Sequence, residues 1–269
     1  MNAQLQTRDT FSTSISTDFT TKKGLTSSTG QEPHQFDGVI LKELLDNSID
    51  ACESAGVEPQ ITIGYEHDGT FATYCVADNG NGLSKETIEK ILDFSTRTSD
   101  KAAMKSPSRG AQGNAFKTIL GIPNTCDGYV IIESLGFSHK IKINATESMM
   151  LPTDYDVTKI PLTIGTAVKV IMKRPRSNEG LYWGQRFAVF NPHIRVKIGY
   201  IENLKNTELT FGSKIQESAI FYPNQINFKK ITPNEPTNAH NYTSDEFYAL
   251  TCLTGRVSLN KRHKSPIEF

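Results

Sequence analysis

The stretch Glu43-Leu44-Leu45-Asp46-Asn47-Ser48-Ile49-Asp50-Ala51-Cys52 decides how the rest of the chain is read. Around it, Phe36, Ile40, Leu44, Leu45 and Ile49 recur at helical spacing, and Gly56 with Pro59 closes the segment, so the pattern predicts a helix over 35–54. Glu43, Asn47 and Asp50 stand at i, i+4 and i+7 and share one helix face, while Leu44, Leu45 and Ile49 turn toward a sheet. A carboxylate one turn from an amide can hold magnesium through the amide oxygen and keep the carboxylate to orient a water. Taken alone, the same face reads as a solvated acidic helix surface.

Downstream, residues 61–65 and 71–77 run apolar or alternate around His67-Asp68-Gly69, a hairpin pattern that leads straight into VADNGNGLS, residues 76–84. An aspartate at a strand end, here Asp78, can accept from an exocyclic amino group, and Gly80 and Gly82 allow a tight turn and close approach of a ligand ring. A simple Asp-Asn-Gly turn is the plainer alternative. Residues 84–94 read as a second helix with Ser84 as N-cap. Residues 95–113 are rich in Ser, Lys, Arg and Gly without periodicity, and a loop of that length reads as a lid.

The lid ends in SPSRGAQGNAFKTIL, residues 106–120, where Gly110 and Gly113 precede a short helix expected over 114–120. Free amides at such a helix start at Asn114, with Lys101 and Arg109 nearby, suit a polyphosphate. The segment is no Walker A loop, because Phe116 stands where a glycine would precede Lys117 and Thr118, and no GxGxxG follows the first strand. A glycine hinge is the alternative. Strands are expected over 129–133, 140–144 and 167–172, which makes the fold class α+β, a two-layer sandwich. Beyond Arg174 the pattern gives a helix over 183–190, a strand over 193–200 and a helix over 244–253 with Ser244 as N-cap. Residues 1–30 read as a polar arm or strap, 31–228 as the main domain, and 229–269 as a linker with an incomplete helical segment.

Composition narrows the function. The 269 residues carry 29 basic and 29 acidic side chains and are 37% hydrophobic, which excludes disordered and fibrous classes. Zero net charge removes overall steering toward nucleic acid, so any such contact has to be local, and the Lys261-Arg262-His263-Lys264 tail is the compact basic patch. The apolar runs are far shorter than the ~20 residues that span a bilayer, and no secretory signal core is present, so a cytoplasmic location is expected. Cys52, Cys75, Cys126 and Cys252 are widely spaced without a CxxC, which argues for reduced packing residues rather than zinc ligands or disulfides.

In this order the motifs resemble the GHKL ATPase superfamily of gyrase B-type subunits, heat-shock chaperones of the ninety-kilodalton class, histidine kinases and MutL. ELLDNSIDAC resembles its N box, VADNGNGL its first glycine box, SRGAQGNAF its lid and second glycine box, and IGTAVKV, with Gly165 and Thr166, its last box. The resemblance implies a Bergerat-type fold that binds ATP with magnesium and hydrolyses it. It implies Glu43 as general base, Asn47 as magnesium ligand, Asp78 as adenine reader with Thr166 as its supporting hydroxyl, and Asp50 supporting the adenine and water network. Lys101, Gly110, Gly113 and Asn114 would form the phosphate cradle, with Arg109 beside them.

Within the superfamily the chain most resembles the B-type ATPase component of topoisomerase VI and its bacterial relatives. FNPH at 190–193 echoes a segment of that component, and HNYTSDEFYAL at 240–250 is similar to the entry of its small helical domain, so the likeness covers roughly residues 20–250. The transducer domain, which supplies a lysine to the γ-phosphate in that family, has no counterpart in these residues. The resemblance therefore implies a fragment or truncated homologue, or a partner that completes the site. It further implies slow hydrolysis, a nucleotide-dependent homodimer, a toprim-bearing A-type topoisomerase partner, DNA contact only through the assembled complex, and no membrane. An interaction module that binds ATP without turnover is the non-enzyme alternative. Histidine kinase-like and MutL-like domains are the others, but no dimerising hairpin with a phospho-acceptor histidine precedes the N box.

Overall fold

The computed structural model describes residues 17–92, 115–143, 154–162, 164–174, 179–191, 193–213 and 216–222, all within one compact unit of the chain. The expected lid and the helix expected over 244–253 lie outside the described residues.

Two short helices, α1 (Thr17–Thr20) and α2 (Lys22–Thr29), lead into a 3-10 turn and the long helix α3 (Phe36–Ser54). The hairpin β1 (Gln60–His67) and β2 (Phe71–Ala77) follows, then α4 (Lys85–Ile91), α5 (Ala115–Asn124), β3 (Tyr129–Ser134), β4 (Phe137–Lys142), β5 (Asp154–Lys159), β6 (Thr166–Lys173), α6 (Glu179–Phe190), β7 (Arg195–Tyr200) and β8 (Gln216–Phe221). The strands form one sheet in the order β5-β4-β3-β6-β2-β1-β7-β8. Every pairing is antiparallel except that of β1 with β7, where α6 provides the connection back across the sheet. The α+β two-layer sandwich expected from the pattern is the observed fold.

Alternation along the central strands separates the two sheet faces. Ala72, Tyr74 and Val76 of β2, with Val168, Val170 and Met172 of β6, join the main core with Ile40, Leu44, Leu45 and Ile49 of α3 and Ile119 and Ile122 of α5. Cys75, Ala77 and Ala167 point the other way, against Leu204 and Leu209. On that second face Lys169 and Glu133 form an ion pair at 2.8 Å with both side chains almost wholly buried.

Three differences from the sequence reading have plain causes. The polar arm is helical from residue 17, and Phe19 and Leu25 reach into the core, a contribution of two side chains too sparse to register as a period. The strand expected over 140–144 starts at Phe137, directly after the two-residue Leu135-Gly136 turn. The edge strand β5 went unforeseen because Asp-Tyr-Asp-Val-Thr-Lys leaves most of its side chains exposed, and β8 because its six residues carry little apolar alternation.

Candidate nucleotide site

Helix α3 carries the first group of candidate residues, and both of its ends are tied down. Near its start the buried Asp37 accepts from the Tyr74 hydroxyl at 3.0 Å and pairs with Arg174 at 3.0 Å, which fixes the helix over β2 and the end of β6. Toward its end Glu53 meets His193 at 3.0 Å, and the Cys52 thiol contacts Asn79 Oδ1 at 3.1 Å. His193 belongs to the FNPH segment, whose Asn191 closes α6 by donating from Nδ2 to the Phe187 carbonyl at 3.0 Å. That segment thus serves to dock α6 and β7 against α3.

Between the anchors, the acidic face is not a solvated one. Asp46 is 4% and Asp50 5% exposed, and Asn47 is half-buried. The Asn47 Nδ2 is buried without a hydrogen-bond partner, so one donor on this face is left unsatisfied. Glu43 is the more open, with its side chain 24% exposed and Oε1 2.8 Å from the Lys42 ammonium, which also pairs with Asp46 at 3.2 Å. Burial pulls the Lys42 pKa down, but the two carboxylates outweigh it and leave it raised.

The second group lies where β2 and β6 meet. Asp78 is 4% exposed at the end of β2. Its Oδ1 accepts from Gly80 N at 2.9 Å and from Thr166 N at 3.2 Å, and its own N–H donates to the Thr166 carbonyl at 2.9 Å. Ser48 of α3 hydrogen-bonds the same carboxyl. Burial dominates the electrostatics and pushes the Asp78 pKa up to about 6, against the pull of those three donors. The tight turn does form, and the same oxygen that closes it also holds β6, so the turn alone does not account for this residue.

Two glycines make the approach geometry obligatory. A side chain at Gly80 would put its Cβ 2.8 Å from the Ala51 Cβ, so the loop lies directly on α3. Gly165 has φ +76, and a Cβ there would stand 1.9 Å from the Asp78 carbonyl oxygen. Gly82 also has positive φ, beside Ser134 and Leu135.

The structure therefore brings together segments of three sequence motifs: the α3 face with Asn47 and Asp50, the Asp78-to-Gly82 loop, and Gly165-Thr166. Lys101, Arg109, Gly110, Gly113 and Asn114 lie outside the described residues. Among the described residues no three His, Cys, Asp or Glu side chains are grouped to hold a metal. Three further residues were not singled out from sequence. Ser48 follows Asn47 and gave no signal of its own. Ser134, at the end of β3, accepts from Leu83 N at 2.9 Å and donates to the Gly165 carbonyl at 2.9 Å. Asn79 proves structural, accepting from Gln60 N at 2.8 Å and donating to the Glu58 carbonyl at 3.0 Å.

Comparison with known proteins shows what this arrangement is similar to. Residues 34–120 match the family model of histidine kinase-, DNA gyrase B-, and HSP90-like ATPases. Among curated proteins the chain is similar to the B-type component of type 2 DNA topoisomerase 6. The protein of Pyrococcus abyssi is 28% identical over 175 residues, 59% of this chain and 30% of that one. The protein of Methanosarcina barkeri is 42% identical over 74 residues, 27% of this chain and 12% of that one. The matched region thus spans less than a third of either relative's length. The ATPase region of Saccharomyces cerevisiae topoisomerase II is 16% identical with a TM-score of 0.42, covering 61% of this chain and 47% of that structure.

Proposed function

We propose that this chain binds ATP with magnesium and hydrolyses it slowly, and that the nucleotide state gates dimerisation of the ATPase subunit, or a fragment of it, in a topoisomerase VI-like machine. The observation that carries the reading is the buried Asp78 carboxyl, held by donors from its own turn, from β6 and from α3. An acceptor so fixed suits the exocyclic amino group of adenine, with the Thr166 hydroxyl beside it, while Gly80 and Gly82 let the loop lie against α3 and the end of β3. Asp50 supports that end of the pocket from α3.

The α3 face fits magnesium. Asn47 is half-buried on that face, and amide and carboxylate oxygens are the hard donors this ion takes, with phosphates and water completing its shell. Bound there, the ion would neutralise charge on the phosphates during transfer. Asn47 would hold it. Glu43 would orient the attacking water and take its proton, and Lys101, Arg109, Gly110, Gly113 and Asn114, assigned from sequence, would cradle the phosphates. Within this reading residues 31–228 form the ATP-binding domain, the location is cytoplasmic, and a toprim-bearing A-type protein is the cleaving partner, with DNA engaged through the assembly. No helix among the described residues is long and apolar enough to cross a membrane.

The contact of Lys42 with the Glu43 carboxylate favours a second reading, an ATP-gated interaction module that does not turn over, because it occupies one of the two oxygens that could take a proton from water. Single-turnover hydrolysis separates the two. The first reading expects slow phosphate release by the parent chain and a loss of ~10²-fold or more in Glu43→Gln with nucleotide binding retained. A parent chain that binds ATP and releases no phosphate would move the assignment to the module.

A further inference from the structure

The Ser134 hydroxyl sits where two of the site's loops meet. It is almost completely buried and has three polar neighbours: Leu83 N at 2.9 Å, the Gly165 carbonyl at 2.9 Å and Thr166 Oγ1 at 3.3 Å. Ser134 and Thr166 are also cross-strand partners on β3 and β6.

A serine hydroxyl has one proton to give and two lone pairs to offer. The Gly165 carbonyl can only accept, so it takes the proton. The Leu83 N–H can only donate, so it takes one lone pair. What remains for Thr166 is the second lone pair, so in this contact the Thr166 hydroxyl must be the donor. Its single proton is then spent on Ser134, and Thr166 Oγ1 has lone pairs alone to offer a ligand.

We propose that Ser134 is a positioning residue for purine selection: by holding the Thr166 hydroxyl as an acceptor, it makes the site favour a 6-amino purine over a 6-oxo purine. The inference rests on the proposal that the Asp78–Thr166 corner receives the purine. An amino group at C6 donates to such an acceptor. A carbonyl at C6 brings lone pairs against lone pairs, and a buried mismatch of that kind is penalised more heavily than a lost contact in an apolar pocket. With Ser134 gone, the Thr166 hydroxyl can turn and donate, and the site loses part of its preference while the Asp78 carboxylate keeps the rest.

The test is equilibrium binding of ATP and inosine triphosphate, with magnesium, to the full chain and its variants. The parent chain is expected to prefer ATP, and Ser134→Ala to narrow the ATP-to-inosine ratio by roughly tenfold, about the worth of one hydrogen-bond mismatch. Thr166→Val, which removes the hydroxyl without changing the shape, should narrow it similarly, and adding Ser134→Ala to Thr166→Val should change the ratio no further. Thermal melting checks folding, and if Ser134→Ala does not fold, Thr166→Val carries the test. Equal loss of affinity for both nucleotides in Ser134→Ala would mean that Ser134 only holds the loops together, which overturns the inference. An unchanged ratio in Thr166→Val, or a parent chain that binds ATP and the inosine nucleotide alike, would also overturn it and leave the ATP-site reading standing. A folded parent chain that binds neither would overturn both.

Discussion

Asp78 and Thr166 hold each other twice, main chain to main chain at 2.9 Å and Thr166 N to the Asp78 carboxylate at 3.2 Å, so the ends of β2 and β6 close on a single buried charge. A ligand that donates to the ionised carboxylate must work against a pKa raised by burial to about 6. ATP affinity is therefore expected to rise between pH 5 and pH 7 and to level off above. The phosphates of ATP titrate in part of this window, so Asp78→Asn, which keeps their titration and removes that of the carboxyl, is the control. Calorimetric affinities with the same pH slope in parent and variant would contradict the role of Asp78.

The same shift bears on folding in the opposite sense. The folded-state pKa lies above the unfolded value near 3.8, so between about pH 4 and pH 6 the folded chain binds more protons than the unfolded chain. The Asp78 contribution to stability is greatest at the acid end of this window and is lost as pH rises through about 6. Asp78→Asn should flatten that part of the urea-unfolding profile.

Gly165→Ala should be severe. The new Cβ would meet the Asp78 carbonyl oxygen at 1.9 Å, both groups are backbone, and φ is +76. A loss of ~2 kcal/mol or more is expected, together with weakened ATP binding. Urea unfolding that matches the parent would mean that the β2–β6 corner relaxes freely.

On the other sheet face, Lys169→Met leaves the Glu133 carboxylate buried and unpaired. Breaking one side of such a pair costs about 3–5 kcal/mol, whereas replacing both members by apolar residues is often neutral. The Lys169→Met and Glu133→Leu double variant should therefore regain most of the stability lost by the single one. A single variant within ~1 kcal/mol of the parent would show that water reaches the pair.

Much of this was legible in the chain. The α3 period was clean because its apolar residues enter one core cluster, and the β1–β2 hairpin announced itself through Asp68, whose carboxylate accepts from Thr70 N and Phe71 N. Glu43, Asn47, Asp50, Asp78, Gly80 and Gly82 could be picked out as candidates because chemistry and spacing coincide, and Thr166 because its segment resembles the last GHKL box. Ser48 and Ser134 could not, because a buried serine at a strand end or in a helix looks like any other until its neighbours across the sheet are known. The packing of Phe19 and Leu25 was likewise hidden, since two apolar residues in a polar segment have no period.

Removing either proposed ion-handling residue should give opposite signatures. Asn47→Ala is expected to weaken magnesium-dependent nucleotide binding, because the ligand itself is lost. Glu43→Ala is expected to bind like the parent and to lose turnover. Equal losses of binding in the two variants would refute the division of roles.

The corner formed by α3, the Asp78 loop and Thr166 is proposed as a magnesium-dependent ATP site. Titration calorimetry of the folded full chain with ATP, in magnesium and again in excess chelator, is the decisive measurement. One nucleotide per chain is expected, with affinity that falls when magnesium is withdrawn and falls again in Asn47→Ala. No heat of binding and no thermal stabilisation by ATP in magnesium, from a chain whose melting transition shows it folded, would contradict it.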